Sequence, residues 1–363
     1  MNIAFLHAGF SNTGGIQRVV SIILNALSKD SNYNLFSIEY IKSENKDVKI
    51  DERVHRFSLY DYDISMTKAI LCGKVIGKTR KILKDNHIDV IIACGVLYFP
   101  VAVLAGKLSG VKSICWEHTN PKVANDCKFQ KQARHFGLRY SSANLLITES
   151  AKKFYDSVKR KKNIRIYNPV DNQLFENPCS YDVESKKIIS VGRLCYAKNF
   201  ELLIELAEKV LSKHTDWSWD IYGDGEEYEK LKNRILNTSV SDRLTLKGNA
   251  SNIYDLYPKY SFLVMTSRFE GFPMVLLEGA AKSLPLVSFD IETGPNEIID
   301  DGVNGYLIKH GDHDTMVERI NSLISNPETR KKMSENVQIT AKQFSVEEIC
   351  EEWKLLLKEL QVC

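Results

Sequence analysis

The stretch FLVMTSRFEGFPMVLLEGAAKSLPLVSF, residues Phe262–Phe289, holds two short apolar runs separated by a longer segment. The runs Phe262–Thr266 and Leu286–Phe289 do not alternate with polar residues, which is typical of parallel strands covered on both faces. The intervening pattern predicts a helix near Met274–Lys282. The stretch is therefore a predicted strand–helix–strand unit, and it favours an α/β fold.

The same alternation extends outward from this unit towards both ends of the chain. Further predicted strands are Ile3–Leu6, Leu35–Ile41, Val54–Leu59, Ile88–Ala93, Val111–Trp116, Leu145–Thr148, Asn163–Tyr167, Ile188–Val191, Ser218–Tyr222 and Leu244–Lys247. Apolar spacing predicts helices from Ile16, from Asn199 and from Glu226, and an amphipathic helix over Val346–Leu360.

A break between two domains is predicted where the first series of strands ends. Pro169 disfavours helix at Asn168, and a polar stretch follows to Lys187, where we place the hinge. The chain therefore divides into two Rossmann-like, doubly wound domains, 1–168 and 169–345, followed by a helical tail, 346–363. Ligands of such sheets bind beyond the carboxyl ends of the strands, so we expect the site in a central cleft that the two domains face.

The composition excludes several classes of protein. A chain of 363 residues with 44% hydrophobic and 26% charged residues is ordinary for a folded globular protein, and not for a disordered, collagen-like or disulfide-scaffold chain. No uncharged apolar run approaches the roughly 18 residues of a membrane span, and the first residues lack the features of a secretory signal. The eight cysteines are scattered without C-x-x-C or zinc spacing, which predicts reduced thiols, no metal site and a cytoplasmic location.

The net charge of +3 conceals two halves of opposite sign. Residues 1–170 hold 27 Lys and Arg against 14 Asp and Glu, whereas residues 171–363 hold 22 against 32.

The first half contains two basic groups, Lys74, Lys78, Arg80, Lys81 and Lys84, and then Lys152, Lys153, Lys159, Arg160, Lys161 and Lys162. The first group is interleaved with Ile70, Leu71, Val75, Ile76, Ile82 and Leu83. This pattern suits a helix on an anionic membrane surface, or else a solvated basic face. No nucleic-acid-binding motif accompanies it, so we expect no nucleic-acid partner.

Two glutamates near the start of the predicted helix, Glu270 and Glu278, are the most informative candidates for a site. Gly271 permits close backbone approach, and Pro273 suits the first turn of a helix. A loop carboxylate can hold sugar hydroxyls and a helical one a ribose diol, while N–H groups of the helix start can bind phosphate. Alternatively, Glu270 complements the helix dipole and Glu278 lies on a solvated face.

A basic loop, GRLCYAKN over Gly192–Asn199, follows one predicted strand and opens a helix. Arg193 offers a planar fork of donors and Lys198 a point charge, and together they suit a diphosphate. Alternatively, the two cations belong to an ordinary surface loop.

The first half offers two weaker candidates. Gly14 and Gly15, between the first strand and the first helix, let backbone N–H groups approach an anion, or else form a tight turn. The loop is not G-x-G-x-x-G, and we identify no acidic residue at the end of the next strand, which counts against a nicotinamide oxidoreductase. Arg18 could face this loop or solvent. His118 follows the carboxyl end of a strand, where it is a site candidate or a structural residue.

Together these residues resemble the retaining glycosyltransferases of the GT-B fold, family 4, over nearly the whole chain. The matching segments, in the family's order, are Gly14-Gly15-x-x-Arg18, His118, Asn168-Pro169-Val170-Asp171, Gly192-Arg193-x5-Asn199 with Lys198, Glu270-x7-Glu278, Asp290-x3-Gly294-Pro295-Asn296-Glu297-Ile298-Ile299 and Asp301-Gly302-x-Asn304-Gly305. The second half carries the more specific part of the resemblance.

The resemblance implies a role for each candidate. Arg193 and Lys198 would neutralise the nucleotide diphosphate, and Glu278 would bind the ribose. Glu270 would hold the donor sugar, and His118 would contact it near its reacting face. The donor would also be lined by the backbone of Gly14, Gly15, Gly271, Phe272, Pro273, Met274 and Val275. No metal and no further cofactor would be needed.

The implied activity is transfer of a hexose or N-acetylhexosamine from a nucleotide diphosphate sugar, with UDP as the expected carrier. The acceptor would be lipid-linked or a polysaccharide in the biosynthesis of capsule, O-antigen or exopolysaccharide. The first domain would bind this acceptor at the inner face of the plasma membrane, the second would bind the donor, and the helical tail would pack back on the first domain. Alternatives are a sugar-nucleotide epimerase of the same fold and a catalytically silent nucleotide-sugar-binding protein.

Overall fold

The computed structural model describes residues 1–10, 14–43, 48–62, 73–120, 127–157, 162–176 and 180–362. It divides the chain into two compact units, one of residues 1–169 with 346–363 and one of residues 170–345. The boundary between the units follows residue 169, one residue beyond the boundary predicted from the sequence. The helical tail belongs to the first unit.

The first unit is built on a parallel sheet. Within the described residues its strands are β1 Asn2–His7, β2 Asn34–Ile41, β3 His55–Tyr60, β4 Val90–Cys94, β5 Lys112–Glu117, β6 Ala143–Leu146 and β7 Lys162–Arg165. They are ordered β3-β2-β1-β4-β5-β6-β7, and every pairing is parallel. The central strands β1, β4 and β5 are almost wholly buried, which explains their unbroken apolar sequences.

Helices connect these strands and supply the other half of the core. They are α1 Gly15–Leu27, α2 Lys74–Asp85, α3 Phe99–Lys107, α4 Lys128–Tyr140 and α5 Glu149–Ser157. The helix α3 is buried almost all round because it lies against β4 and β5 with α2 and α4 beside it. Its sequence, FPVAVLAGK, is correspondingly apolar on every face.

The second unit repeats this architecture with its own core. Its described strands are β8 Lys187–Val191, β9 Ser218–Tyr222, β10 Leu244–Gly248, β11 Phe262–Met265, β12 Leu286–Asp290 and β13 Gly305–Lys309, ordered β10-β9-β8-β11-β12-β13 and all parallel. Its helices are α6 Gln173–Glu176, α7 Phe200–Leu211, α8 Tyr228–Leu236, α9 Ile253–Leu256, α10 Met274–Ala281, α11 His313–Ser325 and α12 Pro327–Lys342. The predicted fold class, two Rossmann-like parallel-sheet domains, is confirmed.

The last helix, α13 Val346–Val362, packs on the sheet of the first unit. Its Trp353 is fully buried, with its ring 4.9 Å from that of Trp116 and 5.8 Å from that of Phe5. Arg165 on β7 forms an ion pair with Glu352 at 3.0 Å. Burial of a whole indole, rather than the surface charge pair, supplies most of the stabilisation, because exposed ion pairs contribute about 0–1 kcal/mol.

The apolar side of α2 is used inside the protein, which corrects part of the membrane interpretation. Val75 and Leu83 are buried in the core of the first unit, and Ile76 and Ile82 pack against it. These residues therefore do not offer an apolar face to a bilayer. The cations on α2, Lys74, Lys78, Arg80, Lys81 and Lys84, are exposed. Lys78 in addition donates to the carbonyl of Leu59 at 2.5 Å.

Both basic groups extend beyond the described residues. Ile70 and Leu71 of the first group, and Lys159, Arg160 and Lys161 of the second, lie outside the described residues. Lys152 and Lys162 of the second group form ion pairs with Asp156 and Glu359, so neither is an uncompensated charge.

In the described part of the chain, no helix is long and apolar enough to cross a membrane. The described cysteines Cys94, Cys115, Cys127, Cys195 and Cys350 are not paired in disulfides.

Candidate functional site

The strand order of the second unit reverses between β8 and β11, which lie side by side. In a doubly wound sheet, ligands bind at such a reversal, beyond the carboxyl ends of the two strands. The loop Gly192–Asn199 leaves β8 at this edge, and the loop Thr266–Pro273 leaves β11. Both predicted clusters of the second half therefore meet at the expected position in this sheet.

The loop after β8 is fixed by close packing against the loop after β9. The backbone N–H of Gly192 donates to the carbonyl of Tyr222 at 3.0 Å, and that of Leu194 donates to the carbonyl of Asp224 at 2.9 Å. Gly223, at φ 148°, has no room for a side chain, since a Cβ there would lie 1.8 Å from the carbonyl oxygen of Gly192. The loop is thus held before any ligand arrives.

Lys198 and Glu270 form the centre of the candidate site. The Nζ of Lys198 lies 2.5 Å from Oε1 of Glu270, and these side chains are only 20% and 11% exposed. The hydroxyl of Ser267 donates to the same carboxylate oxygen at 2.6 Å. The loop residues of two strands, 72 positions apart in sequence, are therefore joined by a charge-assisted contact.

Hydrogen bonds to backbone carbonyls fix the position of the loop after β11, and two of them join it to the loop after β8. The backbone N–H of Arg268 donates to the carbonyl of Ala197 at 2.8 Å, and its guanidinium donates to the carbonyl of Tyr196 at 2.6 Å. The hydroxyl of Thr293 donates to the carbonyl of Glu270 at 2.5 Å. The two loops consequently form one rigid support for the Lys198–Glu270 pair.

The helix α10 begins beside this pair and carries the second glutamate. Pro273 precedes its first residue, no side chain caps its N-terminus, and the first N–H groups of a helix have no intrahelical acceptor. Glu278 is only 5% exposed and accepts a hydrogen bond from the hydroxyl of Tyr257 at 2.8 Å. The alternative that Glu278 lies on a solvated face is therefore wrong.

Arg193 occupies the same sheet edge but is not drawn into the cluster. Its guanidinium is 73% exposed and forms an ion pair with Glu226 at 3.1 Å. Lys198 instead runs beside Gly192, where a Cβ would lie 3.5 Å from the lysine side chain. The two predicted cations thus differ: Arg193 is exposed at the surface, whereas Lys198 is mostly buried and held by the Glu270 carboxylate.

In the first unit, His118 lies just beyond the end of β5 and is buried. Its ring is 4.4 Å from that of Trp116, and its Nε2 has no hydrogen-bond partner among the residues that the structure describes. Burial lowers the pKa of His118 to about 3, so the imidazole is neutral at neutral pH. The adjacent Glu117 is held by Arg134 at 2.6 Å. These contacts fix the strand end on which the histidine lies.

The other candidates of the first unit lie where β1 leads into α1. Gly14 and Gly15 are exposed at the start of α1, which no side chain caps, while Ser11–Thr13 lie outside the described residues. The sequence interpretation overlooked Glu39 near the end of β2. Its carboxylate is buried, receives 2.7 Å contacts from Arg56 and bonds the N–H of Ser43 at 3.1 Å. Glu39 is therefore committed to internal contacts.

The buried histidines predict a loss of stability at mildly acidic pH. Burial lowers the pKa of both His118 and His7 to about 3, whereas in an unfolded chain each titrates near 6.5. Between these values the unfolded state binds more protons, so the free energy of unfolding falls as the pH decreases. From pH 7 to pH 5 we expect each histidine to cost on the order of 1–2 kcal/mol, measured by urea unfolding.

The variant His118→Asn isolates one of these contributions. Its free energy of unfolding should depend less on pH than that of the wild type over the same interval. An identical pH dependence in the two proteins would contradict the burial of a neutral His118.

Sequence reasoning missed three side chains that shape the site. Ser267 and Thr293 bind the side chain and the backbone of Glu270, and Tyr257 binds Glu278. The Thr-Ser pair before Arg268 was a usable signal, because hydroxyl residues at a strand end commonly fix loop conformation. Nothing in the local sequence marks Tyr257. No group of three or more potential metal ligands is assembled among the described residues.

The chain is similar to known glycosyltransferases. Residues 176–340, which lie within the second unit, match the family model described as glycosyl transferases group 1. Over 356 residues the chain is 27% identical to an uncharacterized glycosyltransferase of Haemophilus influenzae, covering 98% of this chain and 99% of that protein.

Two further similarities extend over the whole chain. It is 25% identical to the Campylobacter jejuni GalNAc-alpha-(1->4)-GalNAc-alpha-(1->3)-diNAcBac-PP-undecaprenol alpha-1,4-N-acetyl-D-galactosaminyltransferase, over 99% of both proteins. The solved structure of Anabaena HepE in complex with UDP-glucose superimposes with a TM-score of 0.83 at 18% identity, covering 99% of this chain and 100% of that one. At this identity the likeness establishes the GT-B type of fold.

Proposed function

We propose that the chain is a retaining, metal-independent glycosyltransferase of family 4. It transfers a hexose or N-acetylhexosamine from a nucleotide diphosphate sugar, with UDP as the carrier, to a lipid-linked or polysaccharide acceptor of a surface glycan. The observation that carries this proposal is the Lys198–Glu270–Ser267 cluster beside the start of α10, in a glycosyltransferase group 1 domain.

The chemistry follows from where charge develops during the reaction. Departure of a nucleoside diphosphate places negative charge on phosphate oxygens, and fixed cations and amides aimed at that charge lower the barrier. Lys198 and Arg193 supply the cations, and the backbone amides of Phe272, Met274 and Val275 supply neutral donors. Glu270 holds hydroxyls of the donor sugar, and Glu278 holds the ribose.

His118 contributes hydrogen bonding rather than positive charge in this scheme. Because its imidazole is neutral, one ring nitrogen can donate and the other can accept at a sugar hydroxyl. The backbone of Gly14 and Gly15 binds the distal phosphate. The similarity to a protein whose name specifies a PP-undecaprenol-linked substrate supports a lipid-linked acceptor.

A product analysis tests the proposal against its alternatives. The purified chain is incubated with UDP- and GDP-sugars, with and without polyprenyl-diphosphate-linked glycans, and products are separated by mass and anomeric configuration. Transfer with retention supports the proposal. Conversion of the donor sugar without acceptor would indicate an epimerase, and binding without any conversion would indicate a catalytically silent protein.

Peripheral association with the inner face of the plasma membrane remains part of the proposal, on electrostatic grounds alone. The exposed cations Lys74, Lys81 and Lys84 on α2 attract anionic headgroups, each by about 1 kcal/mol. Sedimentation with anionic liposomes should show binding that weakens as salt is added. Equal binding to neutral liposomes, or none to anionic ones, would contradict this part.

A further inference from the structure

Tyr257 and Glu278 meet across β11 although neither is close to the other in sequence. Tyr257 opens a short 3-10 turn, Tyr257–Lys259, that leads into β11, and Glu278 lies on α10, which follows the strand. The tyrosine ring is fully buried, and its hydroxyl donates to Oε2 of Glu278 at 2.8 Å. The contact therefore ties the helix to the segment on the other side of the strand.

This contact has a consequence for any ligand of Glu278. A carboxylate accepts hydrogen bonds from both hydroxyls of a diol with good geometry when its plane is held in one orientation. On a flexible side chain, other contacts must fix that orientation. At 5% exposure, water provides little of the solvation that the carboxylate requires, and a hydroxyl donor both stabilises the charge and restricts rotation. The rigid, buried ring of Tyr257 provides such a donor.

We infer that Tyr257 is a positioning residue that sets the Glu278 carboxylate to recognise the ribose diol of the donor nucleotide. The inference rests on the proposed function, which assigns the ribose to Glu278. Tyr257 itself does not touch the nucleotide in this scheme. Its contribution is confined to discrimination at the ribose hydroxyls, and the diphosphate and the sugar are recognised elsewhere in the site.

The chain offers a closely matched control in Tyr260. This tyrosine directly follows the same turn and is also buried, but its hydroxyl bonds Asp220 at 2.8 Å and Tyr222 at 2.9 Å. Tyr257→Phe and Tyr260→Phe each remove one buried hydroxyl and keep the ring. Only Tyr257→Phe removes a donor to Glu278.

The experiment measures the affinities of the full chain for UDP, GDP and their 2′-deoxy forms by calorimetry. For the ribonucleotide that binds, Tyr257→Phe should raise Kd about tenfold, which corresponds to the loss of one hydrogen bond to a charged group. The Kd of the 2′-deoxy form should change less than about twofold. Tyr260→Phe should preserve the wild-type ratio of the two affinities. Thermal unfolding confirms that each variant is folded.

Glu278→Gln separates failure of this inference from failure of the proposed function. If Glu278→Gln weakens ribonucleotide binding but Tyr257→Phe leaves the ratio of affinities unchanged, the inference is overturned and the proposed function stands. Equal weakening of both nucleotide forms by Tyr257→Phe also overturns it, because the tyrosine is then merely structural. If neither nucleotide binds the wild type, or Glu278→Gln has no effect, the ribose assignment of the proposed function fails and the inference fails with it.

Discussion

Lys198→Ala is expected to lower kcat/KM by about 10²–10³-fold, the usual cost of removing one preorganised group that stabilises charge in the transition state. The Nζ of Lys198 lies 2.5 Å from the carboxylate of Glu270. Because Glu270 binds the donor sugar in the proposed mechanism, Lys198 lies close to the bond that breaks. Its removal deletes positive charge where the leaving diphosphate becomes negative. The steady-state rate of sugar transfer, measured with the donor that the wild type uses, checks this expectation.

A stability measurement must accompany this variant. Without Lys198, the carboxylate of Glu270 loses its ionic partner while remaining mostly buried, which costs folding energy. Urea unfolding shows whether the variant is folded at the assay temperature. Lys186→Ala is the matched control, because Lys186 is a surface lysine of the same unit, paired with Asp216 at 2.7 Å. A folded Lys198→Ala variant with a rate like that of Lys186→Ala would contradict the proposed role.

Arg193→Ala is also expected to lower turnover sharply, by about 10²-fold or more, while the fold stays intact. The guanidinium is exposed and paired only with a surface glutamate, Glu226, in the described contacts. Surface pairs of this kind contribute about 0–1 kcal/mol, so little stability should be lost. The expected loss of rate therefore requires that Arg193 contacts the diphosphate during the reaction.

Glu226→Gln separates that role from the visible ion pair. It removes the partner of Arg193 and leaves the guanidinium in place, so transfer should continue at close to the wild-type rate. Arg193→Lys should restore part of the activity, because lysine keeps the charge but lacks the planar fork. Near-normal turnover in Arg193→Ala would remove this residue from the mechanism, and an equal loss in Glu226→Gln would reassign its function to the surface pair.

The alternation of the fold was predictable because buried parallel strands leave an unbroken apolar signature. Runs such as Ile88–Ala93 and Ser218–Tyr222 correspond to β4 and β9 within two residues. The strand β13, Gly305–Lys309, was not predicted. Its apolar run, Tyr306–Ile308, is only three residues long and lies between Gly305 and Lys309, at the edge of the described sheet beside β12.

The candidate site was predictable residue by residue but not as an arrangement. The sequence marks Lys198 and Glu270 as charged residues in two separate loops, and only the strand order β8-β11 places them together. Tyr257 reaches Glu278 because the turn before β11 packs beside the helix that follows this strand. His118 is buried with its ring against that of Trp116, and the sequence does not show that this strand end is covered.

Saturation-transfer NMR of the folded chain with a panel of UDP- and GDP-sugars tests the central claim most directly, when it is repeated on Arg193→Ala and Glu278→Ala. The account predicts selective binding of one donor by the wild type, with signals from its ribose and sugar protons, and loss of that binding in both variants. Absence of binding to every donor by the folded wild type, or binding that both variants retain unchanged, would contradict the account.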